Sequence, residues 1–129
     1  MENKEEINKY TEEARLRWGH TEAFKQSEER VEKMGKEGLK KVLEESSKLT
    51  LEIAELMKSG SDPKSPEAQK LIAKHYEALR AFYEPNPEMY RGLGNMYVED
   101  DRFKANYEKV ALGLAKFMRD AMVYFAKSI

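Results

Sequence analysis

Residues 75–103, HYEALRAFYEPNPEMYRGLGNMYVEDDRF, predict two helices that meet at a rigid corner. Pro85 and Pro87 forbid one continuous helix, because each lacks an amide hydrogen and restricts the residue before it. Asn86 is a good N-cap and Pro87 suits a first helical position, so a second helix is predicted over residues 87–97. Ring-bearing and apolar side chains recur at helical spacing in both helices: His75, Tyr76, Leu79, Phe82, Tyr83, Met89, Tyr90, Leu93, Met96 and Tyr97.

These ten side chains, which we call the aromatic wall, fit either a core or the lining of a pocket. Aromatic stripes at helical spacing are usually core. Tyrosine, however, needs a partner for its hydroxyl when buried, and the thioethers of the chain's seven methionines adapt to flat ligands of varied shape. Gly92 and Gly94 each weaken the second helix by about 1 kcal/mol relative to alanine, which indicates close packing there.

Size and composition predict one domain that folds alone and contains no thiol chemistry. The chain has 129 residues and a net charge of −1, so no overall basic field attracts nucleic acid or anionic lipid. The absence of cysteine excludes disulfides, thiolate metal sites and a cysteine nucleophile. The polar start MENKEEINK is unlike a signal peptide and no stretch approaches membrane length, so we expect a cytoplasmic protein with no membrane partner.

Hydrophobic periodicity predicts an all-α domain of about seven helices, with no strand-like alternation. The strongest pattern is that of residues 36–59, and the loop SGSDPKSP follows it. Ser65 and Pro66 then predict the cap and first turn of the helix that carries His75. The predicted helices are residues 5–18, 21–34, 36–59, a helix from 66 into the corner, 87–97, a short helix with Phe103 and Tyr107, and 108–127.

Catalytic and metal-binding patterns are missing. The sequence has no His-Glu-x-x-His motif and no glycine-rich phosphate loop after a strand, and its only histidines are His20 and His75. The acidic run at residues 99–101 lacks the glycine of a calcium loop, and we interpret it as a helix cap. We therefore predict no catalytic residue, no metal and no cofactor; His75 as a haem ligand is the alternative considered for that residue.

Four segments resemble those of one known family. RWGHTEAFKQS at residues 17–27 and EMYRGLGNMYVEDDRF at residues 88–103 are similar to the two hallmarks of the TipAS antibiotic-recognition domain. GLA at residues 113–115 and RDA at residues 119–121 are similar to its closing helix. The resemblance runs from about Tyr10 to Phe125 in the same order and at similar spacing.

The resemblance implies a globin-like all-α fold without haem, with residues 1–129 as a single domain and a cleft on one side. It implies binding of large polycyclic antibiotics such as thiopeptides. In this family the domain is often the C-terminal effector part of a MerR-type transcription activator. Because the chain begins directly at the binding domain, we expect no direct DNA binding by it, and a role as effector domain or as a drug-sequestering protein.

A cysteine that traps thiopeptides covalently in some family members lies near the segment corresponding to residues 83–87, where this chain has none. Capture is therefore expected to be non-covalent, by burial of a flat ligand against the aromatic wall. The family also implies that residues 1–24 are mobile without ligand. The candidate ligand-binding residues are Trp18, Phe24, His75, Tyr76, Tyr83, Met89, Tyr90 and Met96.

Two other functions remain open at this point. A cleft rich in methionine and tyrosine also suits a protein-interaction module that takes up an amphipathic helix. A haem globin is the third possibility, and a Soret band would reveal it.

Overall fold

The structure is a computed structural model that describes residues 22–129, apart from the side chain of Ala23. Within this range it contains five α-helices, one 3₁₀ turn and no strand, which confirms the all-α prediction. The predicted helix at residues 5–18, the candidate Trp18 and most of the segment predicted to be mobile lie outside the described residues. The elements are α1 (Glu22–Lys58), α2 (Pro66–Ala78), the 3₁₀ turn (Leu79–Ala81), α3 (Pro87–Glu99), α4 (Asp101–Val110) and α5 (Leu114–Ser128).

The count of about seven helices is not supported: the predicted helix at residues 5–18 lies outside the described residues, and five α-helices are found where the other six were predicted. Residues 21–34 and 36–59 were predicted as separate helices; they form one element, α1, which is kinked at Gly35, the boundary between the two predicted helices. Gly35 itself is not helical, with φ 70° and ψ −179°, a conformation that glycine adopts without a steric penalty. We call residues 22–34 the first limb of α1 and residues 36–58 its second limb.

The last helix also begins later than predicted. Residues 108–110 belong to α4, and α5 starts at Leu114 because Gly113 turns the chain with φ 88°. An L-residue with a side chain adopts this left-handed conformation only at a cost, so the glycine fixes where one helix ends and the next begins.

Three predicted caps are confirmed. The Ser65 side chain accepts a hydrogen bond from the Ala68 amide at 3.2 Å, and the Asn86 side chain accepts one from the Met89 amide at 2.9 Å. Asp100 accepts from the Arg102 amide at 3.0 Å, which agrees with the interpretation of the acidic run as a cap. These bonds satisfy amides that a helix start leaves without an intrahelical partner.

The core lies where α3 packs on α5, with α1 and α2 closing it from the other side. Gly94 permits the close approach of α3 and α5, since a Cβ atom there would lie 3.2 Å from the Cβ of Met122. The largest side chains that are fully buried are Tyr90, Ile53, Ile72, Leu114, Met118 and Met122. None of the described helices combines the length and the apolar run that a bilayer crossing requires.

Candidate functional site

The centre of the aromatic wall is a buried polar pair. His75 on α2 and Tyr90 on α3 are 8% and 0% exposed, and the Nδ1 atom of His75 lies 2.7 Å from the Tyr90 hydroxyl oxygen. The hydroxyl also donates to the Ile72 carbonyl oxygen at 3.3 Å. Both contacts are satisfied together when the neutral His75 ring donates its Nδ1 proton to Tyr90.

Burial disfavours the charged forms of both side chains, His75 and Tyr90. Desolvation lowers the pKa of His75 from 6.5 to about 4, so the imidazole is neutral at physiological pH. Desolvation likewise raises the pKa of Tyr90, with smaller contributions from neighbouring tyrosines. The pair is therefore an uncharged hydrogen-bonded unit that joins the two helices across the proline corner.

Further rings complete the packing around this pair. The Tyr76 ring meets the Tyr90 ring edge-on with centroids 4.9 Å apart, and Phe125 of α5 meets the Tyr90 ring at 5.8 Å. Tyr97 packs edge-on to His75 at 6.5 Å and lies 4.6 Å from Tyr107 of α4. These are favourable ring arrangements, and they place the inner half of the aromatic wall in the core.

The structure thus divides the predicted site residues into two groups. His75, Tyr76 and Tyr90 come together in the core, while Tyr83, Met89 and Met96 are only partly buried. Burial raises the pKa of Tyr83, and its neighbour Tyr76 adds to the effect. Phe24, on the first limb of α1, is also buried, at 9% exposure. The assignment of these residues to a ligand site stays a prediction.

Open surface lies instead between the second limb of α1 and α2. One shallow groove of about 500 Å³ runs past Leu51 and Leu56 of α1 and Leu71 of α2. A second groove, of about 430 Å³, lies further toward the corner. Glu52 lines both, so the two grooves adjoin at this residue.

The second groove, which we call the corner groove, has an apolar floor and a charged rim. Its floor consists of Val42 and Leu49 from α1 and of Ala78 and Ala81 at the end of α2 and in the 3₁₀ turn. The rim carries three carboxylates and two ammonium groups: Glu45, Glu52, Glu77, Lys48 and Lys74. Ala81, the last lining residue in the sequence, precedes Tyr83 of the aromatic wall by two positions.

Sequence reasoning missed the corner groove, although a signal for it exists. The apolar stripe of the second limb continues through residues 39–57, whereas α2 has only 13 residues. A helix of that length spans about 20 Å and leaves part of the longer stripe uncovered. Small residues at positions 78 and 81 then keep the uncovered part open.

The comparisons with known proteins agree on the family that the chain resembles. The family model of the TipAS antibiotic-recognition domain matches residues 10–125. The chain is 37% identical over 117 residues to the HTH-type transcriptional activator TipA of Streptomyces coelicolor, covering 90% of this chain and 46% of the relative. It is 26% identical over 117 residues to the HTH-type transcriptional activator mta of Bacillus subtilis, covering 90% of this chain and 44% of that relative.

A solved structure agrees with the sequence relatives. The TipAS protein of Streptomyces lividans, determined in complex with nosiheptide and described as part of a thiopeptide multidrug resistance system, superposes with a TM-score of 0.85. The two are 36% identical, and the match covers 94% of this chain and 85% of the solved one. The chain spans under half the length of the two activators that it matches.

Proposed function

Because the chain belongs to the family of TipAS antibiotic-recognition domains, we propose that it binds thiopeptide-like antibiotics reversibly. The observation that carries this proposal is the likeness, over nearly the whole chain, to a structure that holds nosiheptide. The chain has no cysteine, so it offers no thiol for covalent capture. Affinity must then come from non-covalent contacts, among them apolar burial and ring contacts.

We place the proposed site along the corner groove and the partly exposed side chains Tyr83, Met89 and Met96. The groove supplies an apolar floor beside a charged rim, with a volume of about 430 Å³. Tyr83, Met89 and Met96 carry a ring face and polarizable thioethers, which suit a flat heterocycle.

The remaining predicted site residues take supporting roles in this proposal. Three of them have almost no exposed surface: His75, Tyr76 and Tyr90. We propose that they support the aromatic wall from its core side. Phe24 is buried at the start of the first limb, and Trp18 lies outside the described residues; both stay candidate contacts in the proposal. A globin-like arrangement without haem is also part of the proposal; the contact between His75 Nδ1 and Tyr90 supports a packing role for this imidazole rather than iron ligation.

The biological role that we propose is antibiotic sensing or sequestration. Two relatives are HTH-type transcriptional activators, and an effector domain of such an activator would act in the cytoplasm. We propose no DNA contact by the domain, whose net charge of −1 provides no overall basic field. Induction and sequestration both begin with the same binding step, which is the step to be measured.

Titration calorimetry and thermal unfolding with nosiheptide test the proposal. A ligand at a hundredfold its dissociation constant stabilises the folded state by about 2.7 kcal/mol, which raises the melting temperature. Dialysis should reverse the shift and leave the intact mass of the protein unchanged. If nosiheptide gives no shift with the wild-type chain, the proposal fails, and a module that binds an amphipathic helix becomes the better explanation.

A matched pair of variants locates the site. Ala78→Phe fills the corner groove, and Ala105→Phe makes the same change at an exposed alanine of α4, away from the groove. Ala78→Phe should weaken nosiheptide binding about tenfold or more, a loss of about 1.4 kcal/mol, while Ala105→Phe leaves it unchanged. Equal affinities for the two variants would exclude the corner groove as the site.

A further inference from the structure

One backbone hydrogen bond of a regular helix is missing at the proline corner. Side chains of α1 bind both backbone groups that are left without their helical partner. In an uninterrupted helix the amide of Glu84 would donate to the carbonyl of Arg80, four residues earlier. Here the chain tightens into the 3₁₀ turn, and the amides of Phe82 and Tyr83 both donate to the Leu79 carbonyl. The Arg80 carbonyl and the Glu84 amide are therefore left for partners outside their own helix.

Two side chains of the first limb, Gln26 and Arg30, bind these two backbone groups. The Oε1 atom of Gln26 accepts a hydrogen bond from the Glu84 amide at 3.0 Å. The Nη1 atom of Arg30 donates to the Arg80 carbonyl oxygen at 2.6 Å. Gln26 and Arg30 are four residues apart and lie on one face of the limb, so their spacing matches that of the two groups they bind.

An ionic layer covers these contacts. The Nη2 atom of Arg30 lies 3.3 Å from a carboxylate oxygen of Glu84. Arg80 in turn donates to the carboxylates of Glu84 and Glu77. Exposed ion pairs contribute little alone, and the two backbone contacts are exposed as well, so water is the competing partner for each group.

We propose that Gln26 and Arg30 are positioning residues that hold the first limb of α1 against the break at the proline corner. The two backbone groups have three alternative sets of partners: each other in an extended α2, water, or the side chains of the first limb. Docking of the limb and the shape of the corner are therefore coupled. The consequence for ligand binding rests on the function proposed above, because Ala81 and Tyr83 lie within the segment that the limb binds.

Amide hydrogen exchange by NMR tests the docking itself and needs no ligand. In Gln26→Ala the Glu84 amide should exchange about tenfold faster, because its acceptor is gone. Gln26→Glu keeps an acceptor oxygen and should restore protection. The Tyr90 amide, which donates to the Asn86 carbonyl, should keep its rate in every variant. Glu29→Ala, an exposed residue on the same limb, is the control and should change neither rate.

Binding of nosiheptide tests the consequence for the site. Arg30→Met keeps the apolar stem but no donor, and it should weaken binding about tenfold, whereas Arg30→Lys should recover only part of the loss. Unchanged exchange at Glu84 in Gln26→Ala overturns the proposal. If the Glu84 amide exchanges faster in Arg30→Met but the variant binds nosiheptide with wild-type affinity, the proposed role of Arg30 in positioning the site is wrong. If the wild-type chain fails to bind nosiheptide, the proposed function fails, while the exchange experiment still decides whether the limb docks as described.

Discussion

The Nδ1 atom of His75 lies 2.7 Å from the hydroxyl oxygen of Tyr90, and the two residues belong to helices on opposite sides of the proline corner. Neither side chain is charged at neutral pH, since burial lowers the pKa of His75 and raises that of Tyr90. The bond therefore joins α2 to α3 without the desolvation cost of a buried ion pair. It fixes the angle at which the aromatic wall is held.

The first prediction is acid sensitivity that depends on His75. Its pKa is about 4 in the folded protein and about 6.5 when unfolded, so the unfolded chain binds more protons between these values. The contribution of the neutral ring to stability is complete above pH 6.5 and is lost as the pH falls toward 4. That loss amounts to about 3 kcal/mol, and urea unfolding across this range measures it.

His75→Gln separates this effect from other titrations. The amide cannot titrate but still offers a polar partner to the Tyr90 hydroxyl. The difference in unfolding free energy between wild type and variant should shrink as the pH falls from 6.5 to 4. Parallel curves for wild type and His75→Gln would contradict the prediction.

The second prediction concerns the hydroxyl of Tyr90. Tyr90→Phe keeps the ring but removes the group that contacts His75 Nδ1 and the Ile72 carbonyl, leaving two buried polar atoms without that partner. We expect the free energy of unfolding to fall by about 1 to 3 kcal/mol. Tyr124→Phe, at a ring that is 42% exposed, is the matched control and should cost almost nothing. Similar losses in both variants would show that the buried bond contributes no net stability.

Local features could be predicted from the sequence where a residue type has one well-defined structural role. Ser65 and Asn86 were predicted as caps and accept the expected amides, and Pro85 and Pro87 do separate two helices. The sequence could not decide whether the aromatic wall is core or pocket lining, because helical spacing gives the shared face but not what covers it. The structure shows that Tyr90 is covered.

Contacts between distant residues left no such signal. Gln26 and Glu84 are 58 positions apart, and each looks like an ordinary surface residue in its own helix or turn. Their contact depends on where the 3₁₀ turn leaves a backbone amide free, which no periodicity encodes. The corner groove depends similarly on the difference in length between α1 and α2.

The third prediction separates the two glycines of α3. Both were interpreted as marks of close packing, but they are two residues apart and so lie on nearly opposite faces of the helix. A Cβ at position 94 would meet the Cβ of Met122 at 3.2 Å and the Cα of Arg119 at 3.6 Å, whereas one at position 92 would meet nothing within 4 Å. Only Gly94 is a packing residue.

Alanine at each position should therefore act in opposite directions. Gly94→Ala should lower the free energy of unfolding by about 1 to 3 kcal/mol, because α3 and α5 must separate to make room. Gly92→Ala should raise it by up to about 1 kcal/mol through helix propensity. Urea unfolding of both variants measures this, and a stabilised Gly94→Ala would show that the interface relaxes freely.

The fourth prediction concerns the start of α5, which is capped from the preceding helix. Gly113 occupies the N-cap position and has no side chain that could accept a hydrogen bond. The carboxylate of Glu108, in α4, caps the helix instead. Its carboxylate oxygens lie 3.1 and 3.0 Å from the Gly113 amide, and one of them lies 3.3 Å from the Ala115 amide. A negative group is favoured there, because the amides at a helix start carry a partial positive charge.

Glu108→Ala should lower the free energy of unfolding by about 1 kcal/mol, the usual cost of losing an N-cap. Glu108→Gln should cost less, since an amide oxygen still accepts a bond although the charge is gone. Lys109→Ala, the exposed neighbour on the same helix, is the control. High salt should narrow the gap between Glu108→Gln and wild type, because screening removes the advantage of the charge but leaves the hydrogen bond. A gap that is independent of salt would mean that Glu108 acts as a hydrogen-bond acceptor only.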